Sequence, residues 1–208
     1  ARMPSVSLSS ADSLRPLAKQ AIDQALALDP ALVSGYVAKG ILAYSTLRFD
    51  EADAAWQRAL QLEPGNAEAM YGTAQVMAQR GQLDASLAMI TKARDADPLS
   101  TDVLVNRQYL LFTARRFLET VDASKAIFDL DPQSVYGLSN LAGAYAYLGK
   151  PDSVEFHTRK MLALDGRTFG VRVWAIWMLA SIGRWAEVDE QYRLIKRDDL
   201  TGFAFGGK

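Results

Sequence analysis

Three observations predict an all-α fold, an α-solenoid of antiparallel helix hairpins with about eleven helices. An acidic residue followed by proline recurs at Asp29-Pro30, Glu63-Pro64, Asp97-Pro98 and Asp131-Pro132, each 34 residues after the last, and Asp165-Gly166 continues the count. Between successive beats the apolar residues fall into two runs with helical spacing. No stretch sustains the period-two alternation of a half-buried strand. A fixed period of about 20 to 50 residues marks a stacked array, in which each unit buries its apolar face against its neighbours.

Residues 1–11 read as an extended lead-in, 12–197 as the array and 198–208 as a tail. The first helix starts at Asp12 or Ser13, either of which can cap it, with Pro16 in the first turn. Leu17, Ala21 and Leu28 give that helix an apolar stripe, and Pro30 ends it by pushing Asp29 out of the helical region. Five hairpins follow. Their helix pairs are Val33–Thr46 and Phe49–Leu62, Ala67–Arg80 and Leu83–Asp95, Thr101–Thr113 and Phe117–Asp129, Val135–Leu148 and Pro151–Ala163, and Phe169–Ile182 and Trp185–Arg197. Gly81, Gly149 and Gly183 share one phase of the count, between the two helices, where a helix stop favours positive φ.

Small residues recur where the two helices of a hairpin approach. Gly40, Ala74 and Ala142 share a phase of the first helix; Ala18, Ala52 and Ser86 share one phase of the second, and Ala25, Ala59 and Ala93 another. Ile22, Trp56, Ile90 and Tyr192 pack over them from a common phase. Towards the C-terminus these positions enlarge: Gln108 joins the first set, Thr120, Val154 and Val188 the second, and Ile127, Met161 and Ile195 the third. Larger groups at a close contact predict looser or re-angled packing in that half.

Composition sets outer limits on function. Half of the 208 residues are apolar, as in ordinary globular chains, and a net charge of −1 leaves no electrostatic footprint for a nucleic-acid backbone. Without cysteine there is no disulfide or thiolate metal site. The longest mainly apolar run, Val173 to Ile182, is about half the length needed to cross a bilayer, so no membrane insertion is expected. The abrupt opening without methionine is what a fragment or processed form would show.

Tyr36-x-x-x-Gly40, Ala52-x-x-x-Trp56-x-x-Ala59 and Glu63-Pro64 together resemble the tetratricopeptide repeat. The resemblance covers about Asp12 to Arg197. It implies a right-handed superhelix whose first helices line a concave groove for a protein or peptide partner. The groove phases map onto Tyr44, Tyr71, Gln75, Asn106, Tyr109, Phe112, Tyr136, Asn140, Tyr147 and Trp177, with Val37, Ile41, Gln79 and Val173 beside them. Rings can hold apolar side chains and amides can bind an extended backbone; the same rings can equally serve inter-helix packing. Most phases of the family's carboxylate clamp hold other residues here, which argues against a binder of chaperone tails. Ala93 to Ser100 and Leu111 to Phe117 are also similar to C-terminal repeat domains of bacterial signalling proteins, such as winged-helix regulators and class III adenylate cyclases. That likeness implies a sensing or docking part of a larger regulator in a bacterial cytoplasm or periplasm.

The remaining motifs carry little. Gly202 to Lys208 reads as the start of a phosphate loop but lacks the following Ser or Thr and helix. His157, with Asp152 and Ser153 on one helix, reads as a solvated surface group rather than a triad. No cluster has metal-ligand character, no cofactor motif is present, and no enzymatic activity is expected. Trp174 lies on an almost wholly apolar helix near the C-terminal end. Phe203 and Phe205 are expected to fold over that end or to dock on a second copy, making a homodimer. A peptide-binding module is therefore the first reading, a self-assembling scaffold the alternative, and a small-molecule sensor the third.

Overall fold

The computed structural model describes residues 8–195 and contains eleven helices among them, with no strand. They are α1 (Leu8–Leu28), α2 (Val33–Ser45), α3 (Phe49–Leu62), α4 (Ala67–Gln79), α5 (Leu83–Ala96), α6 (Thr101–Thr113), α7 (Phe117–Leu130), α8 (Val135–Tyr147), α9 (Pro151–Asp165), α10 (Phe169–Ser181) and α11 (Trp185–Leu194). Consecutive helices α2/α3, α4/α5, α8/α9 and α10/α11 pack as hairpins. The chain divides into two compact units, residues 1–103 and 104–208.

The acidic beat is a hydrogen-bonded turn. The carboxylate oxygens of Asp29, Asp97 and Asp131 accept from the backbone N–H two residues on, at 2.9, 3.2 and 3.0 Å. The backbone carbonyls of Asp29, Glu63 and Asp131 accept from the N–H three residues on. Proline fixes φ between them and removes the donor that could continue the helix. The next residues cap the following helix: Asn66 Oδ1 accepts from the Ala69 N–H and Ser134 Oγ from the Gly137 N–H. Where Gly166 replaces proline nothing stops the preceding helix, and α9 runs through Asp165, two residues beyond the expected end.

The N-terminus differs from expectation. Helix α1 begins at Leu8, not at Asp12 or Ser13, so the lead-in is at least four residues shorter than residues 1–11. No proline or glycine interrupts residues 8–15, and Pro16 sits inside the helix, where one intrahelical donor is lost. Its expected apolar stripe is left uncovered at Leu17 and Leu28; among the described residues α1 packs chiefly on α2.

Hairpin contacts close by exchange of volume. In the first unit Trp56 is buried between glycines: a Cβ at Gly40 would lie 2.3 Å from its Nε1, and one at Gly72 2.2 Å from its Cε2. Its neighbours Ala52 and Ala59 are fully buried around it. In the second hairpin Ile90 takes the large position, and Ser86 Oγ donates to the Ala74 carbonyl at 2.7 Å across the contact. In the second unit the pattern inverts. Gln108 replaces the small residue, but the large position becomes Ser124; in the fourth hairpin Val154 and Met161 flank Thr158. All of these side chains are buried, and in the third and fourth hairpins the enlargements stand beside a reduced large position; in the fifth, Val188 and Ile195 are half-buried and Tyr192, expected to pack over them, is exposed.

The turn between the helices of each hairpin needs positive φ at one phase, and Gly81, Gly149 and Gly183 supply it at 75°, 65° and 74°. Leu47 and Arg115 occupy the same phase at 61° and 60°. A side chain in the left-handed region costs about 1–2 kcal/mol. Leu47 is largely exposed and has little packing to lose. Leu47→Gly is therefore expected to raise the unfolding free energy by about 0.5–1 kcal/mol after allowing for glycine's chain entropy, measured by urea denaturation.

Candidate partner-binding cleft

The second unit contains an open cleft of about 410 Å³ walled by helices α6, α8 and α10. Its middle wall includes a glycine. Tyr109, Gly143 and Trp177 occupy the same phase of three successive first helices, as Ile41 and Gln75 do in the first unit. The glycine lets the Phe112 and Trp177 rings close on the α8 backbone, and Tyr109 and Trp177 line the cleft with it. The fit there is close: a Cβ at Gly143 would approach Phe112 Cε2 to 3.0 Å.

Aromatic rings fix the walls. Phe112 packs tilted against Phe117 and Tyr147, both at 5.8 Å between centroids. Phe117 and Tyr147 stack at 4.6 Å and 3°, and Tyr147 reaches Trp177 at 6.1 Å. The Arg115 guanidinium lies 5.9 Å from the Tyr147 ring centroid, so the turn with positive φ also places a cation over the cleft's end. Val173, Trp174 and Met178 complete the α10 wall. Tyr109, Tyr147 and Trp177 keep 49, 54 and 45 % of their surface exposed, far more than packing rings in a core retain.

One buried polar seam enters this apolar site. Gln108 is completely buried. Its Nε2 donates to Ser124 Oγ at 2.7 Å and to the Gly137 carbonyl at 3.2 Å, and its Oε1 accepts from Asn140 Nδ2 at 3.1 Å. Asn140, in turn, lines the cleft beside Ser139.

The structure thus brings Tyr109, Phe112, Asn140, Tyr147 and Trp177 together, and it adds Trp174, which the sequence places on a self-association face. Tyr136 stands next to the cleft, edge-on to Trp174 at 6.3 Å. Asn106, at the phase of Asn140, is half-buried and is not one of the lining residues. Tyr44, Tyr71 and Gln75 belong to the first unit. There Tyr44 packs on Phe49 and Trp56 at 5.4 and 5.8 Å, and Val37 is core. Gln75 Nε2 donates to the Tyr71 hydroxyl at 3.0 Å, and Gln79 Nε2 to that of Tyr44 at 3.3 Å. Phe203 and Phe205 lie outside the described residues, as does the glycine-rich end. Gly143, in the cleft's lining, and Gln108, bonded beneath it, are positions that the sequence reading did not place there. The signal for Gly143 was its place in the series Ile41, Gln75, Tyr109, Trp177.

Elsewhere His157 is not solvated as expected. It is half-buried and stacked on Tyr145 at 5.6 Å, and burial, reinforced by Lys160, pushes its pKa down. Among the described residues no group of three His, Asp or Glu side chains could hold a metal ion, and no helix is long and apolar enough to cross a membrane.

Comparison with known proteins agrees with this architecture. Residues 37–101 match the tetratricopeptide repeat family. Cellulose synthase operon protein C of Xanthomonas axonopodis pv. citri (strain 306) is 27% identical over 157 residues, 72% of this chain. The match covers only 10% of that relative's length. Among solved structures, the type IV pilus biogenesis factor PilW superposes with a TM-score of 0.78 at 16% identity, covering 93% of each chain. YrrB, described as having an unusual peptide-binding site, superposes with a TM-score of 0.60 at 20% identity, covering 76% of this chain and 81% of its own. Over residues 37–101 the chain is thus similar to tetratricopeptide repeats. At such identities the structural likeness establishes the fold alone. Tetratricopeptide repeat proteins are in general protein-interaction modules, and some bind peptides.

The first unit offers a check on its own candidate. Burial, followed by the nearby Asp102 carboxylate, pushes the Tyr71 hydroxyl up from 10.0 to about 12. A raised folded-state value means that the unfolded chain loses this proton first. The stabilisation is therefore complete below about pH 10 and fades between about pH 10 and 12. Ultraviolet titration should show one tyrosine ionising near 12, and Tyr71→Phe should abolish that step.

Proposed function

We propose that this chain is a non-enzymatic interaction module whose second unit binds an extended peptide segment in the cleft between Tyr109 and Trp177. The supporting observation is the cleft itself, with rings left exposed around a glycine gap and one buried amide seam ending in it. An apolar side chain of the partner fills the gap over Gly143, and Asn140 meets its backbone. Rings with two rotatable angles hold a ligand at small entropic cost, which suits an apolar anchor with few specific polar contacts.

In the cell the module serves as the sensing or docking part of a larger bacterial protein. Support comes from the resemblance of residues 93–100 and 111–117 to signalling repeat domains and from the much greater length of the matched relative.

The test uses peptides selected from a displayed library on the purified chain. Trp177→Ala should weaken capture about 30-fold, the effect of truncating an aromatic anchor worth about 2 kcal/mol. Gly143→Leu, which fills the gap, should abolish capture while the helical circular dichroism persists. Undiminished capture by both variants would remove the cleft as the site.

A second reading is self-association through the last hairpin, favoured by Trp185 and Tyr192, which stand 64 and 73 % exposed on α11. Light scattering should then show a mass rising with concentration that Trp185→Ser plus Tyr192→Ser returns to that of one chain. A wild-type mass constant over the whole range would end this reading.

A further inference from the structure

The buried seam under the cleft fixes more than packing. Backbone carbonyls can only accept, so the Gly137 carbonyl, 3.2 Å from the Gln108 amide, must face its NH₂ group. Ser124 points the same way independently. Its one proton goes to the Thr120 carbonyl at 3.0 Å, so towards Gln108 the serine oxygen can only accept. Gln108 Nε2 thus has both its protons placed, and Oε1 is left for the neighbouring amide. Asn140 can meet Oε1 only with its own NH₂, as it does at 3.1 Å. The orientation of both amides follows from carbonyls that cannot reverse, rather than from a choice between two equivalent flips.

We propose that Asn140 offers the cleft a hydrogen-bond acceptor, Oδ1, and that Gln108 is the positioning residue that sets this polarity, so that the bound partner presents an N–H group there. The inference rests on the peptide-binding reading of the same cleft and names which edge of the peptide is read. Rotating the Asn140 amide would set two carbonyl oxygens against each other in a buried site, and Gln108 cannot turn to relieve them without facing the Gly137 carbonyl with its own oxygen. An unmade buried bond costs more than a formed one gains, so the seam resists inversion. The phase of Gln108 holds Gly40, Ala74 and Ala142 in other hairpins, none of which has a side chain able to orient an amide. This polarity therefore belongs to the third and fourth hairpins alone.

Indole and 1-methylindole separate donor recognition from apolar filling, since both carry the same ring system and only indole has an N–H. Their dissociation constants can be measured by ¹⁵N-resolved NMR titration of the whole chain, following the side-chain signals of Asn140 and Trp177. In the wild-type chain the ratio of the two constants should favour indole by between about two- and ten-fold more than in Asn140→Ala, the span of one net hydrogen bond. Gln108→Met keeps the volume but frees the Asn140 amide to turn, and it should lower the ratio likewise while 1-methylindole binds as before. A merely structural role for Gln108 would weaken both probes together and leave their ratio unchanged. If Gln108→Met does not fold, the wild-type and Asn140→Ala ratios decide alone. A ratio equal in wild type and Asn140→Ala overturns the inference and leaves the cleft reading standing. Perturbation of the cleft by neither probe overturns both.

Discussion

The structure depends on the distance at which the two helices of a hairpin can approach. That distance is set by four side chains, one from the first helix and three from the second. No single member is kept: Gly40 stands with Ala52, Trp56 and Ala59; Ala74 with Ser86, Ile90 and Ala93; Gln108 with Thr120, Ser124 and Ile127; Ala142 with Val154, Thr158 and Met161, so the large position shrinks from Trp56 to Ser124 and Thr158 as its neighbours enlarge. Interiors are packed like crystals, so a methylene added on one side must be withdrawn on the other.

Much of this was legible in the sequence. The 34-residue beat located every hairpin, and most helix ends fell within a residue or two of expectation, because proline, an acidic side chain and a capping residue act locally. Errors arose where the deciding contact was not local. Gln108 looked like a defect when compared with Gly40, since its compensation lies sixteen residues on at Ser124. The start of α1 was placed late because Asp12 and Ser13 are good caps, yet nothing before them forbids another turn. At Asp165 the beat kept its count but lost its proline, and the helix ran on.

The cleft was half legible. Aromatic residues at groove phases were visible, but exposure distinguishes a ring awaiting a partner from one filling a core, and exposure is a tertiary property. Tyr44 is half-buried against Phe49 and Trp56, whereas Tyr147 stays exposed on the cleft even though it stacks on Phe117. The glycine in the cleft's middle wall has meaning only against the series of residues at its phase. The polar seam beneath obeys the same logic. Once the third hairpin gives up its large apolar residue for Ser124, the freed volume admits an amide, and that amide orients the next.

The seam has a consequence for how such an array can change. Gln108 and Ser124 lie on one side of the Asp131-Pro132 turn, and their partners Gly137 and Asn140 lie on the other. The inherited block here is not the stretch between two turns but one that straddles a turn. A duplication or exchange cut at the turns would separate Gln108 Oε1 from its Asn140 donor, just as it would part Trp56 from Gly72 across the Glu63-Pro64 turn. Neighbouring repeats of one chain are therefore tied across the turn, by shape at Trp56 and by a directed hydrogen bond in the pair that walls the cleft.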